Sequence, residues 1–205
     1  MHRCEHRGAG KYSATMPDAT FVLPETKLIA RLMLEHEDRA EIKSIVHDGN
    51  LLNVKSIASE DKIFDYAFNR LSTISDDLKK ILISGDDNDA RYINLISHLT
   101  YDRLFREFVE EVYFERKQSH APITDFDIMS FFERKGHEDE DVKNWKDSTL
   151  NRLRTRYSRI LFAAGLTKSS MKSRETTTPY ISSSTISKLI AEGLGDYITI
   201  TLGLL

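Results

Sequence analysis

Arg152, Arg156 and Arg159 follow one another at spacings of four and three. On a helix those spacings lay three guanidinium groups along one side. Each guanidinium is a permanently charged planar fork of N–H donors, the group best matched to the paired oxygens of a phosphate. The same segment, DSTLNRLRTRYSRILFAAG from Asp147 to Gly165, places Leu150, Leu153, Tyr157, Ile160, Leu161 and Ala164 in an apolar arc facing the other way. Asp147 or Ser148 stands where it can cap the start, and Gly165 suits the left-handed position past the end. The residues that follow, LTKSSMKSRETTTPYIS, are basic, hydroxyl-rich and broken by Pro179. An arginine-striped helix followed by a basic turn is what a winged helix-turn-helix presents to DNA. A plainly solvated helix surface accounts for the stripe equally well, since arginine is also a good helix former.

Other chemistry has little to stand on. The seven histidines are scattered and none sits in an HExxH pattern. Cys4 lies between His2 and His6, but one thiol on an arm without periodicity makes a poor metal site. No GxxxxGK[ST], GxGxxG or GxSxG occurs. The carboxylates cluster at helix starts, where capping explains them. The expectation is a protein without catalytic residues, metal or cofactor, and not an enzyme.

With 205 residues, 40% hydrophobic and 30% charged, the chain is long enough for one compact domain or two small ones. Its single cysteine fits a reducing compartment. Met1–Tyr12 lacks the apolar core of a secretory signal, and no apolar run approaches the ~18 residues that span a bilayer. A cytoplasmic protein with no membrane partner is expected. The net charge of −3 argues against indiscriminate coating of nucleic acid. Charge is nevertheless segregated, with seven basic residues against two acidic ones between Asp147 and Glu175. Acidic clusters stand at Asp86, Asp87 and Asp89 and at Glu138–Asp141. A positive face can therefore exist on an acidic chain.

The elements that must position these groups read as mainly α. Residues 1–20 are expected to form a flexible arm. Residues 21–84 form a first helix-turn-helix-like bundle: Pro24 near a helix start, Asp38 and Glu41 as a capping box, and Ser59 capping a third helix with Ile63, Phe64, Ala67 and Leu71. Lys55, Ser59 and Lys62 lie near the start of that third helix, although generic three-helix packing explains it as well. Residues 85–121 are a central helical segment, from about Asn88 to Lys117 and bent near Thr100. Residues 122–205 form a winged-helix-like domain. Thr124 opens a second short–short–longer order of helices that ends in the arginine-striped helix. A small β wing is expected from Thr176–Ser183 paired with Tyr197–Leu202 (YITITL), around a helix near residues 184–191.

The order of four segments resembles the BrxA family of the bacterial BREX (bacteriophage exclusion) defence systems. They are YSA at Tyr12–Ala14, the run His98–Lys117, ITDFDIMSFFERK at Ile123–Lys135, and WKDSTLNRLRTRYSRILFAAGL at Trp145–Leu166. The resemblance runs from about Tyr12 nearly to the C-terminus. It implies a mostly helical, non-enzymatic protein that binds double-stranded DNA through helix-turn-helix-like modules and accompanies other BREX proteins. On that reading Ser148, Thr149, Asn151 and Arg152 face base edges, and Arg156 and Arg159 meet phosphates. Lys168, Lys172 and Arg174 then flank the duplex. Arg154, beside the apolar arc, suits an internal ion pair; Tyr157 suits the core and Trp145 an anchor for the preceding turn. A helical adaptor for other defence proteins and an RNA-binding helical protein are the alternatives, the latter without the aromatic platform that RNA readers use.

Overall fold

The computed structural model describes residues 11–17 and 21–204. The first three helices are α1 (Leu23–Glu35), α2 (Arg39–Asp48) and α3 (Ile57–Leu71). Pro24 stands in the first turn of α1, where its missing N–H costs nothing. The Asp38 side chain caps α2 by accepting from the Ala40 amide, while Glu41 bonds the His36 ring at 2.9 Å. Asn50 and Asn53 both take positive φ in the connection to α3, a conformation that asparagine tolerates better than most residues. Ser56, not Ser59, caps α3: its Oγ accepts from the Ser59 amide, which leaves Ser59 exposed in the first turn.

Next come α4 (Asp76–Ser84), which packs on α1, then α5 (Asp87–Tyr101) and α6 (Arg103–Phe108). A π-helical turn, Val109–Tyr113, leads into α7 (Phe114–Gln118). The expected long helix is thus interrupted just past Thr100. Asp102 leaves helical geometry and its carboxylate caps the new start by accepting from the Phe105 amide at 2.9 Å. Burial pushes the Asp102 carboxyl up to about 6. Almost every side chain of α5 from Asp89 onward is buried, so this segment is the axis of the molecule.

The remaining elements are β1 (Ile123–Thr124), α8 (Asp125–Glu138), α9 (Glu140–Lys143), α10 (Asp147–Ala163), β2 (Ser173–Arg174), α11 (Ser183–Ala191) and α12 (Gly195–Leu202). Thr124 and Asp127 form a full capping box at the start of α8. The protein is mainly α, with one small antiparallel sheet that pairs Ile123 with Arg174 and Thr124 with Ser173. The sheet does not use YITITL. That segment is α12, because Tyr197, Ile198, Thr201 and Leu202 bury at helical spacing. Thr201 also fixes α12 to the axis: its hydroxyl bonds Tyr92 Oη at 2.7 Å, and its carbonyl accepts from Tyr113 Oη at 3.1 Å. A run of alternating β-branched residues fits either geometry, and tertiary contacts decide.

Part of the expected arm is also packed. Tyr12 and Met16 are 7% and 2% exposed while Ser13 and Thr15 face solvent, an alternation typical of extended chain. Residues 1–10, with Cys4, His2 and His6, lie outside the described residues. Tyr12 Oη donates to Glu107 at 2.7 Å and the Arg103 guanidinium lies over its ring at 4.4 Å. Lys135 of α8 reaches the same place. Its ammonium is almost fully buried and meets Glu107 at 2.7 Å, Glu111 at 2.6 Å and Glu138 at 3.2 Å. Burial alone would lower its pKa, but the carboxylates of Glu107 and Glu111 hold it above the ordinary lysine value.

Removing one partner from such a cluster strands like charges, so Lys135→Met should destabilise by roughly 3 kcal/mol in denaturant unfolding at neutral pH. Burial tends to raise the Glu107 carboxyl, but hydrogen bonds from Lys135, Tyr12 and Arg103 outweigh it and hold the pKa below the usual range. Its stabilisation is therefore present above the unfolded value of about 4.3 and is lost as pH falls through the depressed native value. The parent should lose stability below about pH 4, and Glu107→Gln should flatten that acid limb. Equal acid limbs would refute this role for Glu107.

Candidate nucleic-acid interface

The segment β1–α8–α9–α10 and the hairpin after α10 form one unit. Leu153, Tyr157, Ile160 and Leu161 of α10 and Ala164 just past it are buried, with the Tyr157 ring packed among Phe105, Phe108 and Phe132. Trp145 packs, partly buried, against the same core. Lys146 occupies the cap position of α10 without a side-chain cap bond, and Asp147 is the first helical residue. The expected cap by Asp147 or Ser148 is therefore not made. Gly165 ends the helix at φ +75°, which a side chain would strain. The chain then turns back: the Lys168 amide donates to the Glu175 carbonyl at 3.0 Å and the Thr177 amide to the Leu166 carbonyl at 2.8 Å.

One carboxylate locks this arrangement. Asp125, at the start of α8, takes the Arg154 guanidinium from α10 on one oxygen. On the other it takes Arg174 from β2 at 2.7 Å. Arg154 is thus the internal ion pair its position suggested. Arg174 is a correction: it is 3% exposed, also donates to the Ile123 carbonyl, and presents no charge to a partner. Its place in strand pairing with Ile123 turns it inward.

Arg156 is a second correction, being 6% exposed. On an ideal helix it lies about 40° from Arg152 toward the apolar arc, whereas Arg159 lies about 20° to the other side. That difference carries Arg156 into the body and leaves Arg152 and Arg159 on the surface. Ser148 and Asn151 are exposed beside them and Thr149 is half-buried. Two residues were missed. Thr155 is exposed on the same face, and Lys146 is an exposed cation at the helix start. Their i, i+4 and i, i+3 relation to Asn151, Arg152 and Arg159 was the available signal for Thr155.

Ion pairing sorts the remaining cations. Lys168 is exposed but bound to Glu175 at 2.7 Å. Lys55, Lys62, Lys146, Arg152, Arg159 and Lys172 are exposed and form no ion pair with another described residue. These charges fall on the start of α3, on α10 and on the hairpin; Arg31 of α1 is also exposed without an ion pair among the described residues and stands apart from them. A cleft of about 610 Å³ brings two of those regions together, with Ser59, Lys62 and Ile63 of α3 on one wall and Arg152 and Arg156 of α10 on another. Lys55 does not line it. The acidic clusters are engaged internally. Asp86 caps α5, Asp89 accepts from Ser182 and Thr185 at the start of α11, Asp139 caps α9, and Asp141 meets Lys11 at 2.6 Å.

Among the described residues no group of histidine, cysteine and carboxylate side chains could hold a metal ion. No helix among them is long and apolar enough to cross a membrane.

The geometry defines a mainly helical protein in which two three-helix groups flank a buried helical axis, the second closed by a small antiparallel sheet. The chain belongs to the BrxA family, proteins of BREX phage-defence systems, whose model matches residues 10–193. It is 30% identical to the BREX protein BrxA of Bacillus cereus (strain H3081.97), over 94% of this chain and 96% of that one. It is 25% identical to the BREX protein BrxA of Paramagnetospirillum magneticum (strain ATCC 700264 / AMB-1), over 76% and 78%. The fold is shared with the crystal structure of an uncharacterized protein from Magnetospirillum magneticum, with a TM-score of 0.81 at 22% identity over 94% of this chain and 98% of that one.

Asp125→Ala would leave Arg174 buried without its carboxylate. It should cost roughly 3 kcal/mol and speed amide exchange in residues 166–177. An unchanged melt with unchanged exchange would show that Asp125 does not fasten the hairpin.

Proposed function

We propose that this protein is a non-enzymatic accessory subunit of a BREX system that binds double-stranded DNA through helix-turn-helix modules. The observation that carries this reading is the sorting of charge. Lys135, Arg154 and Arg174 near the interior are neutralised by Glu107 and Asp125, and apart from Arg31 on α1 the exposed cations without an ion pair among the described residues lie on α10, its hairpin and the start of α3. The order β1–α8–α9–α10–hairpin is that of a winged helix-turn-helix with α10 as recognition helix, and α1–α3 repeats the three-helix part. Ser148, Asn151, Arg152 and Thr155 are disposed toward base edges, and Arg159, Lys146 and Lys172 toward phosphates. With so few groups for base reading, sequence preference is weak and the backbone term dominates.

A second reading, docking of another defence protein, has one observation in its favour. Phe126 is 78% exposed beside a groove lined by Met129, Phe132, Val142 and Leu150. The two readings concern different faces of α8–α10 and are compatible.

About four to six phosphate contacts imply a log–log salt slope near −4 to −5 for duplex DNA. Replacing Arg152, Arg159 and Lys172 together by alanine should reduce that slope by up to about three, with stability changes within about 0.5 kcal/mol per exposed site. Single-stranded DNA and RNA measured alongside should bind more weakly. A triple variant that melts normally and binds duplex like the parent would contradict the proposed face. Purified protein should neither cut nor methylate DNA nor hydrolyse ATP. Any such activity that co-purifies with the chain and vanishes on a point substitution would overturn the non-enzymatic part.

A further inference from the structure

A groove of about 410 Å³ opens between α8, α9 and the start of α10, lined by Met129, Phe132, Val142 and Leu150. Phe126 stands at its edge and is 78% exposed, so its ring adds little to the core. The structural tasks at this helix start fall to its neighbours. Asp125 holds Arg154 and Arg174, and Asp127 completes the capping box and takes Arg116. Phe126, Met129, Ser130, Glu133 and His137 recur at helical spacing and form one stripe on α8, about 16 Å long. Phe126 is the apolar knob at one end of that stripe. At the other end Gly136 lets α9 approach so closely that a Cβ there would stand 3.3 Å from Lys143 Cα. The rim is mixed in charge. Glu133 is exposed and forms no ion pair with another described residue. Lys143 pairs with Glu140 in a bridge open to solvent, which contributes little. Glu133 and Lys143 line the same groove without pairing with each other. A rim that carries both signs can complement its own copy, whereas a rim of one sign would repel it.

We propose that this face pairs with a second copy of the chain about a twofold axis, each Phe126 filling the other protomer's groove and each Glu133 meeting the other protomer's Lys143. An isologous contact requires one surface that holds both members of every contact, here knob with groove and anion with cation. α8 then runs antiparallel to its copy, which brings the start of one stripe to the end of the other. Leu150 and Arg152 are about 200° apart on α10, so the cationic side of that helix stays free. The pairing does not rest on the DNA-binding reading, and it commits the Phe126 groove to a second copy in place of another defence protein.

Sedimentation equilibrium of the full chain reads the association. One ring and one groove per protomer make a contact at the small end of protein interfaces, so a reversible dimer of roughly micromolar affinity or weaker is expected, and concentrations from about 1 μM to 1 mM bracket it. Phe126→Ser should weaken it about thirtyfold or more, as the loss of a central anchor does. The ring is exposed, so this variant should melt like the parent. Glu133→Lys and Lys143→Glu each set like charges against each other across the axis and should each weaken self-association about tenfold or more. Mixed in equal amounts, these two variants should dimerise with each other, because both crossed pairs are then opposite in sign. A parent that stays monomeric throughout overturns the pairing and leaves the groove to another protein. A dimer of unchanged affinity in Phe126→Ser overturns this face. Charge variants that keep the parent's affinity, or that weaken without recovery in the mixture, overturn the twofold arrangement.

Discussion

A cation taken out of water must be met by oxygens, and that requirement decides which basic residues this chain can offer to a partner. Lys135 is the clearest instance. Three carboxylates surround it, and two of those also hold the stretch around Tyr12 and the α6 and π-helical region to α8. Asp125 does the same for Arg154 and Arg174, binding α10 and the hairpin into one body. Arg70 meets the requirement differently. It is buried without a carboxylate and donates to Asn94, to Ser97 at 2.5 Å and to Thr26 at 2.7 Å, and burial lowers its pKa to about 10. Once these demands are met, the exposed cations without an ion pair among the described residues lie mainly on α10, its hairpin and the start of α3, with Arg31 on α1 apart from them.

That sorting bears directly on family and function. An overall charge of −3 gives no hint of an anionic partner, yet local pairing leaves α10, the hairpin and the start of α3 positive. The two three-helix groups stand on the same axis, and a cleft brings their charged helices to a common opening. The proposed BREX accessory role draws on this geometry together with family membership. The exposed Phe126 face adds a surface of different chemistry.

Much of this was legible in the chain because local signals agreed with tertiary ones. The apolar arc of α10, the caps at Asp38 and Thr124, the stop at Gly165 and the ion-pair position of Arg154 each follow from spacing and side-chain type. Other features depended on neighbours that no local window contains. Arg156 lies at the edge of the apolar arc, so a shift of a few tens of degrees in helix orientation decides whether it is buried. Arg174 turns inward because Ile123, fifty-one residues earlier, is its strand partner. YITITL is helical because Tyr92 and Tyr113 bind Thr201. The packing of Tyr12 and Met16 was not read from the chain, where residues 1–20 stood as a flexible arm; it rests on the Glu107 partner far along the sequence.

The most direct measurement of the central claim is amide hydrogen exchange on the full chain, with and without a short duplex at low salt. The account predicts that duplex slows exchange at the start of α10, in the hairpin of residues 166–177 and at the start of α3, and that the protection fades as salt rises. Protection confined to α8 around Phe126 or to α11 and α12, or no protection despite measurable binding, would contradict it.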